Sequence, residues 1–303
     1  SMVGDPTIRL LPAITNERAT ILQVTPPRAL QWIWAPRRAA EDEAVELEPL
    51  TPELLRAGSG QFRKHTSQAA EGFHVRHWGL LSDLALAVLC TLLAVWESFG
   101  LLPDALRFFV VVLLPKEVGW RPIALFSAFY RLRVKVRRPM AVPWELNHSS
   151  AFFSAGGGCG AELAAWRAAG RAAFAVLEGK LTASALFDLV RFYERVVLRR
   201  LAERGVRLGF HARILRACIV MYLQARHVTR RRFALLGQCA RRGMIAGCGF
   251  AAMLVKVYTL EAFERYVHRW PQVALDAHFD DCTLDAEGGE AELLEVVPQA
   301  VKA

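Results

Sequence analysis

Two adjacent carboxylates, Asp280 and Asp281, lie between two runs in which apolar and polar residues alternate. Val273, Leu275, Ala277 and Phe279 alternate with Ala274, Asp276 and His278, and Cys282 and Leu284 take the alternation up again. A period of two is that of a strand with one buried face, so the spacing predicts a β-hairpin with both acids at its turn. Neighbouring carboxylates at a tight turn repel each other and are therefore either solvated or neutralised by a cation. A third acid, Asp188, closes the strand-like run ASALFDL at 183–189. A strand end delivers a side chain to a site, and an aspartate there also serves as the cap of a following helix.

The elements that must position these acids follow from the rest of the pattern. Residues 1–75 change character every ten or so positions and read as a weakly structured extension with one helix at most. The uncharged run at 84–96 is thirteen residues long, against about 20 for a bilayer core, and reads as a buried helix. Val-rich 108–114 predicts a buried strand, 115–121 a loop, and 127–138 a helix with its bases on the exposed side. A glycine-rich loop at 155–160 precedes an Ala-rich helix at 161–176, then a short strand at 183–188. Helices are expected at 190–204, 210–226 and 250–268, with a basic turn at 226–232.

In their order along the chain, several of these segments resemble one known family. The run LLPKEVGWRPIALFSAFYRLRVKVR at 113–137 is similar to the "PKxxG…RPI" block of reverse transcriptases from non-LTR retrotransposons and group II introns. FDLVRFYERV at 187–196 resembles their palm block, RGMIAGC at 242–248 their "GxxQGxxxSP" block, and His278-Phe279-Asp280-Asp281 their Y-x-D-D. The wording of the second and third blocks is most similar to retroelement polymerases of dinoflagellate genomes. The resemblance covers roughly residues 80–287 and implies an α+β fold: right-hand polymerase fingers and palm, helix-rich, with a small antiparallel palm sheet packed on helices.

The resemblance also implies roles. Asp188, Asp280 and Asp281 would be the catalytic acids, with Asp188, the Leu189 main chain and Asp280 holding two Mg²⁺ ions, for which Mn²⁺ can substitute. Arg121 would grip the incoming triphosphate as a bidentate donor, with Lys116 in the same task. Tyr193 would lie under the sugar and select deoxynucleotides, and Gly247 would let backbone approach the template–primer pair. The implied partners are an RNA template, a DNA or RNA primer and dNTPs, with no membrane. His278 departs from the family's tyrosine and Ala246 from its glutamine. The chain ends 22 residues after Asp281, so fingers (76 onward) and a partial palm are expected, with no thumb. That shortness keeps a second reading open: an inactive retroelement remnant, or a basic RNA-binding module.

Charge and cysteine usage agree with either reading. The 303 residues carry a net +9, but 271–303 hold eight acids against the single base Lys302, so the preceding body is strongly basic. A basic body suits a polyanionic partner. Arg131, Arg133, Lys135, Arg137 and Arg138, with Arg226, Arg230, Arg231 and Arg232, form two clusters for phosphate contacts. Of the tail acids, all but Asp280 and Asp281 are expected on the hairpin exterior or in a solvated terminus. Six cysteines with no CxxC spacing and no visible secretory signal suggest reduced thiols in an intracellular protein, nuclear or cytoplasmic.

Overall fold

The structure, a computed structural model, describes residues 47–68, 71–100, 102–155, 159–230, 233–240 and 242–302. In chain order its elements are α1 (Pro52–Gly60), α2 (Asp83–Phe99), β1 (Phe108–Pro115), β2 (Trp120–Leu125), α3 (Ala128–Asn147), α4 (Ala161–Leu177), β3 (Leu181–Asp188), α5 (Phe192–Arg195), α6 (Leu198–Arg207), α7 (Ala212–Tyr222), β4 (Ala225–Arg230), β5 (Phe233–Cys239), α8 (Ala251–Arg269), β6 (Val273–His278), β7 (Asp281–Gly288) and α9 (Glu290–Lys302). This is a helix-rich α+β fold with two small sheets. The described residues form two compact units, one from the chain up to Ala141 with Tyr193–Ala251, the other from Val142–Phe192 with Ala252–Ala303.

In the first unit the strand order is β2-β1-β4-β5, with β1 and β4 parallel and the outer pairs antiparallel. The uncharged run is the body of α2. The Ser82 hydroxyl caps its start by accepting from the Ala85 N–H, and Gly100, at φ +67°, ends it. Leu86, Leu89, Leu93 and Trp96 are buried, while Leu84 and Val88 on another side are exposed. Among the described residues no helix is long and apolar enough to cross a membrane. Trp96 packs on Phe129 and Tyr130, and Phe126 on Phe109 and Tyr130, with centroids 4.7–5.8 Å apart. Each such buried ring contributes roughly 1.5–3 kcal/mol.

Three expectations are corrected in this unit. Arg133 and Arg137 are not on an exposed side of α3. Both are buried, and both reach the buried Glu97 carboxylate of α2, at 2.9 and 2.6 Å. The stretch expected as a basic turn is strand β4, because burial of Ala225, His227 and Thr229 follows period two beneath the count of bases. The helix expected at 190–204 is interrupted: Arg191 sits at φ +52°, and α5 and α6 follow as separate pieces. Within the expected extension, residues 1–46 lie outside the described residues. Thr51 caps α1, which packs against the 3₁₀ turn Val75–Leu80 and α2.

In the second unit the sheet order is β3-β7-β6, antiparallel throughout, with α4 and α9 against it. The far edge of β6 is covered by the segment before α4: Ala277 N–H donates to the Phe152 carbonyl, and Ser154 N–H to the Ala277 carbonyl. Cross-strand partners share a face. One face therefore carries Ala183, Ala185 and Phe187 beside Ala286, Leu284 and Cys282, then Val273, Leu275 and Ala277. The other carries Ser184 and Asp188, then Asp285 and Asp281, then Asp276 and His278. Asp276 and Asp285, expected on a hairpin exterior, are buried, and the Arg171 guanidinium of α4 bonds both. Ser184 donates to Asp285 at 2.7 Å, and Arg167 stands 3.8 Å from Asp276.

Two stability measurements test these ion clusters. Glu97→Ala leaves two buried guanidiniums without their partner and should cost about 3–5 kcal/mol in urea unfolding at neutral pH. Burial alone would raise the Glu97 carboxyl, but Arg133 and Arg137 outweigh it and hold it below its ordinary value. The stabilisation is therefore complete above the ordinary glutamate range and is lost only as pH falls through the lower, folded-state value. Arg171→Ala should cost roughly 2–3 kcal/mol, allowing for the partial exposure of that side chain. A second change, Asp285→Asn, should recover part of the loss if Arg171 acts by neutralising the pair.

Candidate active site

Asp188, Asp280 and Asp281 are brought to one end of the three-stranded sheet. Asp188 ends β3, and its direct cross-strand partner is Asp281, the first residue of β7. Asp281 in turn pairs with His278, so His278, Asp281 and Asp188 form a row across the polar face. The hairpin loop is the two residues Phe279 and Asp280, and Leu189 N–H donates to the Asp280 carbonyl at 2.9 Å. That bond ties the turn of the hairpin to the end of β3.

The backbone is strained on both sides of the acids. Among the described residues only Phe279, at φ +58°, and Arg191, at φ +52°, are non-glycines in the left-handed region. One precedes Asp280 and the other follows Asp188 by three positions. Such conformations cost of order 1–3 kcal/mol each and cluster at functional sites. The local field is negative: burial, with the charges of Asp281 and Asp280, pushes the Cys282 thiol up to about 11. His278 is held by its ring Nδ1, which donates to the Ser154 carbonyl at 3.2 Å, since a carbonyl can only accept.

The five aspartates on this sheet fall into two sets. Asp276 and Asp285 share Arg171, whereas none of Asp188, Asp280 and Asp281 meets a cationic side chain among the described residues. Like charges directly opposite each other disfavour a sheet; Asp188 and Asp281 are both exposed, so solvent or a bound cation can offset their repulsion. Among the described residues no three His, Cys, Asp or Glu side chains are drawn together as a ready-made metal cluster. The donor chemistry nonetheless fits a hard divalent cation: carboxylates, with main-chain carbonyls beside them. A cavity of about 900 Å³ in the same unit is lined by Phe187, Leu275, Cys282 and Leu284 and so opens on the apolar face, away from the acid row.

The other expected site residues belong to the first unit. Lys116 and Arg121 flank the tip of the β1–β2 hairpin, where Gly119, at φ +85°, closes the turn by accepting from Lys116 N–H. Both side chains are exposed, and neither has an ion pair among the described residues. Tyr193 is half-buried in α5, and its carbonyl accepts from Met244 N–H at 2.8 Å. Gly247, at φ +112°, has the Ala124 carbonyl 2.4 Å from where a Cβ would stand, and Ala124 N–H donates to the Ala246 carbonyl. Its glycine is thus required by the close approach of this loop to β2. Cys248 next to it is held 3.0 Å from the Tyr130 hydroxyl.

The basic clusters separate by burial. Arg133 and Arg137 are spent on Glu97. Arg226 donates to the Tyr222, Arg242 and Gly243 carbonyls, and burial pushes its guanidinium down to about 10. Arg230 lies 4.0 Å over the Trp120 ring, Arg131 donates to the Ser67 carbonyl, and Arg138 to that of Gly249. Arg231 and Arg232 fall outside the described residues. Arg171 was missed from the sequence, although Arg167 and Arg171, four apart on an Ala-rich helix, mark one charged face.

No protein-family model matches the chain, and no curated protein matches it in sequence. Among solved structures it is similar to apo telomerase from Candida tropicalis truncated from its C-terminal domain, with a TM-score of 0.49 and 11% identity. The superposition covers 72% of this chain and 52% of that one, so the chain spans about half the length of the telomerase structure. An overlap this loose carries no argument about chemistry, which rests on the residues themselves.

Proposed function

We propose that the chain is an RNA-directed DNA polymerase domain of retroelement type, which adds deoxynucleotides by nucleotidyl transfer at Asp188, Asp280 and Asp281. The observation that carries the reading is the unpaired acid row: three carboxylates at one sheet end have no described cation, while the two others on that face are neutralised by Arg171. The ordered sequence blocks around those acids support it.

Asp188, the Leu189 carbonyl and Asp280 would hold Mg²⁺, with Asp281 adding negative charge beside them. When bound, two such ions would lower the pKa of the attacking hydroxyl and carry the charge of the leaving pyrophosphate. The protein's own part is to hold the carboxylates in register through the β3–β7 ladder and the Leu189–Asp280 bond. Lys116 and Arg121 are assigned to the triphosphate as exposed donors on a short hairpin. Tyr193 is assigned to the sugar and Gly247 to the template side. The exposed bases Arg138 and Arg230 are assigned to backbone phosphates, without sequence readout.

Primer extension on an RNA template with Mg²⁺ tests this, using Asp280→Ala as the control. A metal site supplies several kcal/mol, so the variant should lose about a hundredfold or more of the wild-type rate. Equal incorporation by the two proteins sinks the proposal. Template–primer binding with a steep salt dependence but no extension by either protein replaces it with the binding-module reading.

A further inference from the structure

Away from the acids, in the first unit, a cavity of about 520 Å³ opens between α1 and the 3₁₀ turn Val75–Leu80. Its lining includes Arg56, Lys64, Gln68, His74, Arg76 and His77, and no acidic residue. We propose that this cavity is a binding site for a phosphate group, where the end of the expected extension meets the start of the expected fingers. The inference is independent of the polymerase reading, because none of its residues is an acid of the row or an element of the β1–β2 hairpin.

The cavity is built rather than incidental. Arg56 is fixed by Asp83 at 2.7 Å and by the Gly79 and Leu81 carbonyls, and Arg76 by the Phe62 carbonyl at 2.9 Å. The Ser59 hydroxyl donates to the Arg76 carbonyl and accepts from Gly79 N–H, stitching α1 to the turn. These bonds hold two guanidiniums in place before any ligand arrives. The His77 ring is set edge-on by Phe73, with centroids 5.2 Å apart.

One histidine points to an acceptor. His74 Nδ1 accepts from the Arg76 N–H at 3.2 Å, so that nitrogen carries no proton and the neutral ring must carry it on Nε2. Nε2 is buried and has no hydrogen-bond partner among the described residues. A buried N–H without an acceptor is unfavourable; His74 lines the cavity, and a small rotation of its ring would present Nε2–H to a ligand oxygen there. Lys64 has no described ion pair and lies at the same cavity. A phosphate presents oxygens in several directions and can meet donors from separate elements at once, which a planar carboxylate cannot.

The phosphate could be free, on a nucleotide, at a strand end or within a strand, and the test has an arm for each. Binding would be measured by competition with inorganic phosphate and with AMP, and by fluorescence anisotropy with a 5′-phosphorylated and a 5′-hydroxyl oligonucleotide. Lys64→Ala/His77→Ala, two exposed positions, should weaken the phosphate-dependent part by about tenfold or more. Histidine-labelled protein supplies the direct readout: phosphate should shift the His74 Nε2 resonance in the parent chain and less in the double variant. An unmoved His74 resonance at saturating phosphate overturns the proposal, as does equal phosphate affinity of the parent and the variant. Loss of this binding with Asp280-dependent extension intact separates its fate from that of the polymerase reading.

Discussion

The register of β3 against β7 is the constraint on which the candidate site depends. Eight consecutive pairs, from Leu181 with Gly288 to Asp188 with Asp281, set every side chain of this sheet on one of two faces. A slip of one residue would turn Asp188 into the apolar side and put Phe187 where the acid stands. The polar face alone would specify the register weakly, since it places like charges opposite each other. Two other forces fix it: burial of Cys282, Leu284 and Leu275, with Phe187 half-buried, on the second face, and the hydrogen bond from Ser184 of β3 to Asp285 of β7, a carboxylate that Arg171 also holds.

Arginine placement changes what the net charge means. A basic body reads as a surface for polyanions, yet Arg133, Arg137 and Arg226 neutralise or brace the interior, and Arg171 does the same for the sheet. The positive charge available to a partner is therefore smaller than the composition gives, and is carried by side chains such as Lys64, Lys116 and Arg121 that have no described ion pair. Guanidinium suits both tasks, because its planar fork satisfies several acceptors at once.

The hairpin was legible because apolar and polar residues alternate on both sides of Asp280-Asp281, and period two survives any choice of neighbours. The strand before Asp188 was legible for the same reason. β4 was hidden because three of its six residues are Arg or His, whose types suggest solvent while their period suggests burial. Arg171 could not be assigned partners from local pattern, since Asp276 and Asp285 lie 105 and 114 residues further along the chain. The break between α5 and α6 depends on a left-handed Arg191, which nothing in that residue's type foretells. Each miss is a case where a long-range contact or a strained backbone overrode a local preference.

The division of the sheet's aspartates into a neutralised pair and a bare trio has an evolutionary side. The bare trio is where this sheet is less stable than its own framework allows, because removing one carboxylate relieves repulsion and leaves no cation stranded. Chance substitution in a lineage no longer selected for the acids would therefore erase them first, with the fold unharmed.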